Sequence, residues 1–177
     1  MKITLDHNCI IDLANGTEIG AKIQSVLANS LNQCFVVNIG ASEMRELGVK
    51  PECYELFEEL LTKAGIESLP RLNPMLIFDV TFFDRCVWAG NGDIMLAKNI
   101  ETALYGNSPN IDIVKEGINS TSGKKWLNRI CDVHGMWCHI QNKNDMFLTT
   151  DRNFKKQTKL PNLIALGAGE ISHPNEL

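Results

Sequence analysis

Apolar residues in the first part of the chain recur with two different spacings. Short runs of consecutive apolar and β-branched residues are typical of buried strands, and apolar residues three or four positions apart are typical of amphipathic helices. The predicted elements are strands over 2–5 and 34–39 and helices over 9–14, 18–31 and 51–64. This alternation predicts an α/β fold with a parallel sheet and helices on both of its faces.

The chain is predicted to be less regular in its middle. Short apolar pieces separated by glycine and proline indicate a helical region over 75–104 and loops over 105–123. Regularity returns at Lys124, where apolar residues at helical spacing predict a long helix. These residues are Trp126, Ile130, Val133, Trp137 and Ile140.

Short strands are the last predicted elements. Apolar runs over 145–150 and 163–166 predict them, and the polar tail after Gly169 is expected to be peripheral. Ser42 follows the second strand and belongs to the residue types that cap helices, so a helix is expected to begin there.

The composition is that of a globular protein. The chain has 177 residues, the size of one ordinary domain, and 44% of them are hydrophobic and 21% charged. These values exclude a disordered or collagen-like chain. No apolar run approaches the ~20 residues of a membrane-spanning helix, and the N-terminus lacks a signal-peptide pattern. We therefore expect a single cytoplasmic domain over residues 1–177.

Charge and cysteine content narrow the function classes further. The net charge of −4 argues against indiscriminate coating of nucleic acid, although a local basic patch is compatible with it. The six cysteines are scattered and form no C-x-x-C pair, so we expect reduced thiols. Cys131, His134 and Cys138 lie at helical spacing; packing in the helix core is favoured there, with a zinc site as the weaker alternative.

Carboxylates follow two of the predicted strands directly. Asp6 follows the first strand, and Asp151 follows the strand over 145–150. Because the carboxyl ends of parallel strands line the ligand crevice of an open sheet, these two side chains are expected to meet. Glu43, just after the second strand, and Asp132, inside the long helix, can point to the same crevice.

Four carboxylates in one pocket require a counter-ion. Two carboxylates about 4 Å apart repel by about 4 kcal/mol at an effective dielectric constant of about 20. Oxygen ligands suit the hard ions Mg²⁺ and Mn²⁺, and such ions activate water for the hydrolysis of phosphodiesters. The pattern therefore predicts a metal-dependent hydrolase of phosphodiester bonds.

Three segments of the chain carry family-like motifs. They are D-H-N-C-I-I-D-L at residues 6–13, I-G-A-S-E at 39–43 and N-D-M-F-L-T-T-D-R-N-F at 144–154, the last preceded by Asp132 on a helix. These motifs resemble PIN domains, a family of metal-dependent ribonucleases. The resemblance covers roughly residues 1–50 and 125–170.

The resemblance implies a three-layer α/β domain, with a central parallel sheet flanked by helices, that is enlarged by an insertion over about 70–124. It implies an endoribonuclease that acts on RNA with Mg²⁺ or Mn²⁺, as the toxin of a pair with an antitoxin protein, and a homodimer. The implied catalytic residues and metal ligands are Asp6, Glu43, Asp132 and Asp151, and the implied substrate-binding residues are Asn8, Thr149, Thr150, Arg152 and Lys155.

Two of the proposed ligands have alternatives nearby. Glu46 lies one helical step from Glu43 and can replace it. Asp93 competes with Asp132, which is favoured because its separation from the following strand motif fits the family pattern. A second functional hypothesis is a non-catalytic binding module on the same fold, with the inserted region as a protein-interaction surface.

Basic residues flank the proposed carboxylates on both sides. They are Lys124, Lys125, Arg129, Arg152, Lys155, Lys156 and Lys159. Placed in this way, they predict a track for a phosphate backbone. His7 is expected to be solvated or to assist in capping a helix, and Trp88, Trp126 and Trp137 are expected to pack in the core.

Overall fold

One parallel sheet forms the centre of the molecule. The computed structural model describes residues 1–44, 52–106, 113–117 and 119–177. In these ranges, five strands lie in the order β3-β2-β1-β4-β5, and each neighbouring pair is parallel. The strands are β1 (Lys2–Leu5), β2 (Gln33–Val37), β3 (Arg71–Leu72), β4 (Met146–Leu148) and β5 (Glu170–Ser172). The α/β class and the parallel sheet predicted from the sequence are confirmed.

Helices connect the strands. They are α1 (His7–Ala14), α2 (Glu18–Ala28), α3 (Gly40–Glu43), α4 (Glu52–Lys63), α5 (Asn91–Tyr105), α6 (Ile113–Glu116), α7 (Thr121–Gln141) and α8 (Leu160–Ala165). The helices predicted over 9–14, 18–31 and 51–64 correspond to α1, α2 and α4, and the long helix predicted from Lys124 is α7. Within the described ranges, no helix combines the length and the apolar character that crossing a membrane requires.

Side chains from the two faces of the sheet enter two separate apolar cores. On β1, Ile3 and Leu5 are buried in the core formed with α1, α2 and α4. On β4, Phe147 is buried on the opposite face, in the core formed with α5, α7 and α8. Because successive strand residues point to opposite faces, both faces are covered by helices and the fold has three layers.

The C-terminal elements differ from their prediction. The residues predicted as a strand over 163–166 end the helix α8, which has Pro161 in its first turn. A short apolar run does not distinguish a strand from a buried helix segment. The last strand is β5, in the tail predicted to be peripheral, and its Ile171 is buried. Gly169 precedes this strand with a φ of +58°, and a Cβ there would lie 2.6 Å from the Asp145 carbonyl oxygen.

The middle of the chain is less helical than predicted. The helix expected over 75–104 is confined to α5, and residues 73–90 are irregular apart from a 3₁₀ turn at Phe83–Arg85 and an isolated parallel bridge between Met75 and Val87. The strand β3 was not predicted, since two residues are too few to show a period. Ser42 does not cap a helix; it lies within α3, and its hydroxyl donates to the Val80 carbonyl oxygen at 2.8 Å.

Candidate active site

Asp6 lies at the carboxyl edge of the sheet and is held by four hydrogen bonds. Its backbone N–H donates to the Leu148 carbonyl oxygen of β4 at 2.9 Å. Its side chain caps α1, where Oδ1 accepts from the His7 N–H at 2.9 Å. Its Oδ2 accepts from the Thr149 hydroxyl at 2.6 Å and from the Asn8 amide at 3.4 Å. The carboxylate is therefore fixed in orientation, and burial raises its pKa.

Thr149 connects Asp6 to Asp151. The hydroxyl that donates to Asp6 also accepts from the Asp151 N–H at 2.9 Å. The Asp151 side chain in turn accepts from the Asn153 N–H at 2.7 Å. The negative charge of Asp151 adds to burial in raising the pKa of Asp6. The two strand-end carboxylates thus lie side by side, as the parallel sheet predicted.

Asp132 reaches the same place from the middle of α7. The Tyr105 hydroxyl, at the end of α5, donates to its Oδ2. Burial raises the pKa of Asp132 to about 7, and the charges of Asp6 and Asp151 act in the same direction. The hydrogen bond from Tyr105 and the charge of Lys159 oppose this increase only in part.

Glu43 is the fourth carboxylate of the group. Burial raises its pKa well above the ordinary value, and the charges of Asp6 and Asp132 raise it further. In the described part of the chain, no hydrogen bond or cation opposes this increase in the pKa of Glu43. A cavity of about 10 Å³, about the space that one water needs, is lined by Glu43 together with Asp6 and His7.

His7 is buried beside this cavity. The expectation that it is solvated is wrong, because the residue is only 7% exposed. This burial lowers its pKa to about 4 and favours the neutral imidazole. Its Nδ1 has no hydrogen-bond partner in the described residues. Gly40 faces it so closely that a Cβ would lie 2.8 Å from the His7 Nδ1 and 2.8 Å from Phe57 Cε2. The backbone of α3 can therefore approach α1 at this point only with glycine.

Four carboxylates from four separate segments thus influence one another electrostatically at one edge of the sheet. As the side chains stand, no three Asp, Glu, His or Cys residues in the described ranges are close enough together to hold a metal ion. The donor set consists of oxygens only, which is the chemistry that Mg²⁺ and Mn²⁺ prefer. The arrangement therefore provides the ligand type and the excess negative charge of a hard-cation site, without closed coordination.

The predicted substrate-binding residues lie around Asp151. Thr150 is half-buried and Arg152 is exposed, next to a cleft of about 560 Å³ that Asp151, Arg152 and Lys156 line. Lys155 also lines the cleft, but its ammonium group forms an ion pair with the Glu176 carboxylate. Its charge is therefore already partly neutralised.

The basic residues before Asp132 divide into two groups. Lys124 and Lys125 are exposed. Arg129 contacts other residues of the chain instead. Its Nε lies 2.9 Å from a Glu101 carboxylate oxygen, and its guanidinium lies over the Tyr105 ring. Of the three basic residues predicted before Asp132, only Lys124 and Lys125 are therefore available to contact a phosphate backbone.

The alternative ligands do not join the group. Glu46 lies outside the described residues. Asp93 is in the first turn of α5, where it accepts from the Gly90 N–H at 2.8 Å and from the Gln141 amide. Tyr105, which contacts Asp132, is at the other end of this helix, about 18 Å away along its axis. Asp93 is therefore too far from the carboxylates to replace Asp132.

The zinc alternative has no geometric support in the described residues. Cys131 lines the small cavity beside Glu43, whereas His134 lines a different cavity between α5 and α7. Cys138 is buried in the core, as expected. The side chains of one helix therefore point to different places, and no ligand group of three is formed.

Comparisons of the chain with models of protein families, with curated proteins and with solved structures gave no match. The function is therefore inferred from the site itself. Sequence reasoning missed two of its residues, Tyr105 and the buried His7. The sequence gives no signal for Tyr105, because it lies where loops were expected and contacts Asp132 only through the packing of α5 on α7.

Proposed function

We propose that the chain is a metal-dependent endoribonuclease with a PIN-type active site. The observation that carries this proposal is the convergence of half-buried carboxylates at the carboxyl edge of a parallel sheet. The Thr149 hydroxyl joins the Asp6 carboxylate to the Asp151 backbone, and the charges of Asp6 and Asp132 raise the pKa of Glu43. Half-buried carboxylates that repel one another are costly, and the charge of Lys159 offsets this only in part, at Asp132. Proteins retain such an arrangement where a cation or a reacting group uses it.

The oxygen donors of the site fit a hard metal ion. Asp6, Asp132, Asp151 and Glu43 would hold one or two Mg²⁺ or Mn²⁺ ions, since these are oxygen ligands with a net negative charge. When bound, such an ion supplies hydroxide at neutral pH and stabilises the charge that develops on the phosphate. A bound cation would also bring the pKa values of these carboxyl groups back to their ordinary range.

The neighbouring residues hold the carboxylates in place. The Thr149 hydroxyl donates to one oxygen of Asp6 and accepts from the Asp151 N–H, so a single group joins the Asp6 carboxylate to the Asp151 backbone. Tyr105 fixes Asp132 from α5. Such preorganisation reduces the reorganisation that catalysis requires.

The substrate is expected to approach along the cleft beside Asp151. Arg152 and Lys156 line this cleft and are exposed, so they can contact phosphate groups. A basic cleft next to an acidic centre places the scissile phosphodiester near the carboxylates and allows an acidic protein to bind an RNA backbone. The antitoxin partner and the homodimer that the resemblance implies stay predictions.

A nuclease assay tests this proposal. Mixed single-stranded RNA is incubated with the parent protein, Asp6→Asn and Asp151→Asn in MnCl₂, in MgCl₂ and in EDTA. We expect cleavage only with a divalent ion, and a decrease of at least about 100-fold in each variant. Asp84→Asn, at an exposed carboxylate outside the group of four, is the matched control and should retain the parent rate.

Two results would contradict the proposal. Cleavage by Asp6→Asn at the parent rate would exclude the carboxylate from catalysis. A parent protein that neither cuts RNA nor gains thermal stability from Mn²⁺ would favour the second hypothesis, a non-catalytic binding module. That hypothesis has its own structural support, since the region between residues 75 and 95 exposes many apolar side chains.

Six large apolar side chains are exposed in this part of the chain. Phe78, Trp88 and Phe83 are 82%, 78% and 76% exposed, which overturns the expectation that Trp88 packs in the core. The group, here called the apolar surface, consists of Phe78, Phe83, Val87, Trp88, Ile94 and Met95. Isolated exposed apolar residues are ordinary, whereas a group of them indicates an interaction site.

A further inference from the structure

Lys159 differs from the other basic residues that follow β4. Arg152 and Lys156 are exposed and line the cleft, and the ammonium group of Lys155 is paired with the Glu176 carboxylate. Lys159 is half-buried and is not among the residues that line the cleft. Its positive charge is therefore placed separately from the charges along the cleft.

Two contacts hold the Lys159 ammonium group beside the carboxylates. Its Nζ donates to Asn153 Oδ1, and the Asn153 N–H donates to the Asp151 side chain at 2.7 Å. The same Nζ lies 5.3 Å from the centre of the Tyr105 ring, a cation–π contact, and the Tyr105 hydroxyl donates to Asp132. The ammonium group is thus connected through one residue to Asp151 and through another to Asp132.

The carboxylates attract Lys159 without forming an ion pair with it. The charges of Asp151 and Asp132 raise the pKa of the ammonium group, against burial and the charge of Lys156, which lower it. Among the described residues, no carboxylate oxygen lies within 4.0 Å of the Lys159 Nζ. The attraction between these charges therefore acts across a gap rather than through a direct contact.

The Lys159 ammonium group can donate further hydrogen bonds. It carries three N–H groups, and within the described ranges Asn153 Oδ1 is its one hydrogen-bond acceptor. Lysine commonly binds phosphate as a point charge. A phosphate group that reaches Asp132 and Asp151 is therefore within the field of this ammonium group and can supply an acceptor for it.

We propose that Lys159 contacts a non-bridging oxygen of the phosphate that is cut, and that Asn153 positions Lys159 for this contact. The inference rests on the proposed function. Hydrolysis joins a water oxygen to phosphorus and breaks the bond to one ribose oxygen; one water proton ends on that oxygen and the other passes to solvent. Negative charge on the non-bridging oxygens increases in the transition state. The fixed charge of Lys159 stabilises this increase and transfers no proton.

Two other roles of Lys159 lead to different expectations. If Lys159 only neutralised Asp132, its loss would change the carboxylate arrangement and weaken Mn²⁺ binding. If Lys159 belonged only to the outer phosphate track, its loss would lower the affinity for RNA and leave kcat unchanged. The proposed contact instead affects kcat when both RNA and Mn²⁺ are saturating.

Steady-state cleavage of labelled single-stranded RNA in saturating MnCl₂ tests this contact. Lys159→Met removes the charge, and we expect kcat to fall about 100-fold while KM rises by no more than about fivefold. Lys159→Arg keeps a charge and should retain at least about a tenth of the parent kcat. The matched control is Lys63→Met, at an exposed lysine that donates to Asn15 near the opposite edge of the sheet. It should retain the parent values.

A double-mutant cycle tests the positioning role of Asn153. Asn153→Ala removes the oxygen that accepts from Lys159 but keeps the backbone N–H that donates to Asp151. We expect kcat to fall about tenfold in the parent and to fall no further in Lys159→Met, because the two residues act as a unit. Equal decreases in both proteins would show that Asn153 does not act through Lys159.

Two further measurements do not depend on cleavage. In Asp6→Asn with MgCl₂, fluorescence anisotropy gives the RNA affinity at several salt concentrations. Adding Lys159→Met should reduce the slope of log K against log salt by about 0.7, the contribution of one phosphate contact on a single strand. Adding Lys63→Met should leave the slope unchanged. In thermal unfolding with MnCl₂, Lys159→Met should bind Mn²⁺ at least as tightly as the parent, because a neighbouring positive charge is lost.

Several results would overturn this inference. They are a parent-like kcat in Lys159→Met, an equal loss in Lys159→Arg, an unchanged salt slope, or weaker Mn²⁺ binding by Lys159→Met. Failure of the proposed function would look different. A parent protein that cuts no RNA with any divalent ion would contradict the nuclease assignment, whereas the salt slope would still decide whether Lys159 contacts phosphate.

Discussion

The carboxylate group and the apolar surface depart from the usual burial of side chains in opposite directions. At the carboxyl edge of the sheet, acidic side chains that are ordinarily solvated are half-buried and raise one another's pKa. Around residues 78–95, aromatic and aliphatic side chains that are ordinarily buried face solvent. Buried polar groups and exposed apolar groups are the informative exceptions in a folded protein.

The two regions also differ in what holds them. Asp6 directly follows β1, Asp151 follows Thr149 and Thr150 after the end of β4, and the other two carboxylates lie on α3 and α7. Hydrogen bonds from their backbone N–H groups hold Asp6 and Asp151. The apolar surface is carried mainly by irregular backbone and the first turn of α5. We infer that the first region is built for a fixed geometry, which chemistry requires, and the second for contact over an area.

The largest expected effect is a pH-dependent change in the stability of the metal-free protein, caused by Asp132. Its pKa is raised to about 7 in the folded chain, against about 3.9 for an unfolded aspartate. The folded state therefore holds this proton more tightly. The resulting stabilisation is complete below about pH 4 and is lost as the pH rises through about 7. Asp132→Asn should consequently gain stability relative to the parent over this window, by on the order of 3 kcal/mol at pH 8.

Urea unfolding of both proteins in EDTA between pH 4 and pH 8 measures this difference. The comparison with the variant is needed because burial lowers the pKa of His7 and of His134 to about 4, and those shifts make stability fall with decreasing pH. The matched control is Asp84→Asn, at an exposed carboxylate. Mn²⁺ at pH 8 should stabilise the parent and not Asp132→Asn. A difference between the two proteins that does not change with pH would contradict the burial of this charge.

A smaller effect is expected at Thr149, which joins the Asp6 carboxylate to the backbone of Asp151. Thr149→Val keeps the shape but removes the hydroxyl that donates to Asp6 and accepts from the Asp151 N–H. The loss should destabilise the folded protein by about 1–2 kcal/mol and raise the pKa of Asp6 further, since this hydrogen bond lowers it. Thr149→Ser retains the hydroxyl and should lie close to the parent in urea unfolding. Equal destabilisation by both variants would show that the hydroxyl has no role.

The sequence predicted the positions of the carboxylates better than it predicted the middle of the chain. Asp6 and Asp151 are adjacent in space because each follows a parallel strand, and strand polarity alone brings such positions together. Asp132 was found through its spacing from the strand motif. Tyr105 was not found, because its contact with Asp132 depends on how α5 packs on α7, which no local pattern encodes.

The errors in the fold have a common physical origin. The strand predicted over 163–166 and the first part of the helical region predicted over 75–104 are short apolar segments, which are too short to show a periodicity. The tail after Gly169 contains the short strand β5, which becomes regular only by pairing with β4. The exposure of Phe78 and Trp88 could not be predicted either, because the sequence alone does not show whether the fold covers an apolar residue.

The smallest expected effect is on the stability contributed by the apolar surface. Phe78 is 82% exposed, so Phe78→Ser should change the free energy of unfolding by no more than about 0.5 kcal/mol. Phe57, which is fully buried, is the contrasting site, and Phe57→Ala should cost about 3–5 kcal/mol. Urea unfolding measures both. A cost above about 1 kcal/mol for Phe78→Ser would mean that this ring stabilises the fold. In that case the apolar surface would not be free to bind a partner, and the contrast between half-buried carboxylates and exposed apolar residues would no longer hold for the apolar residues.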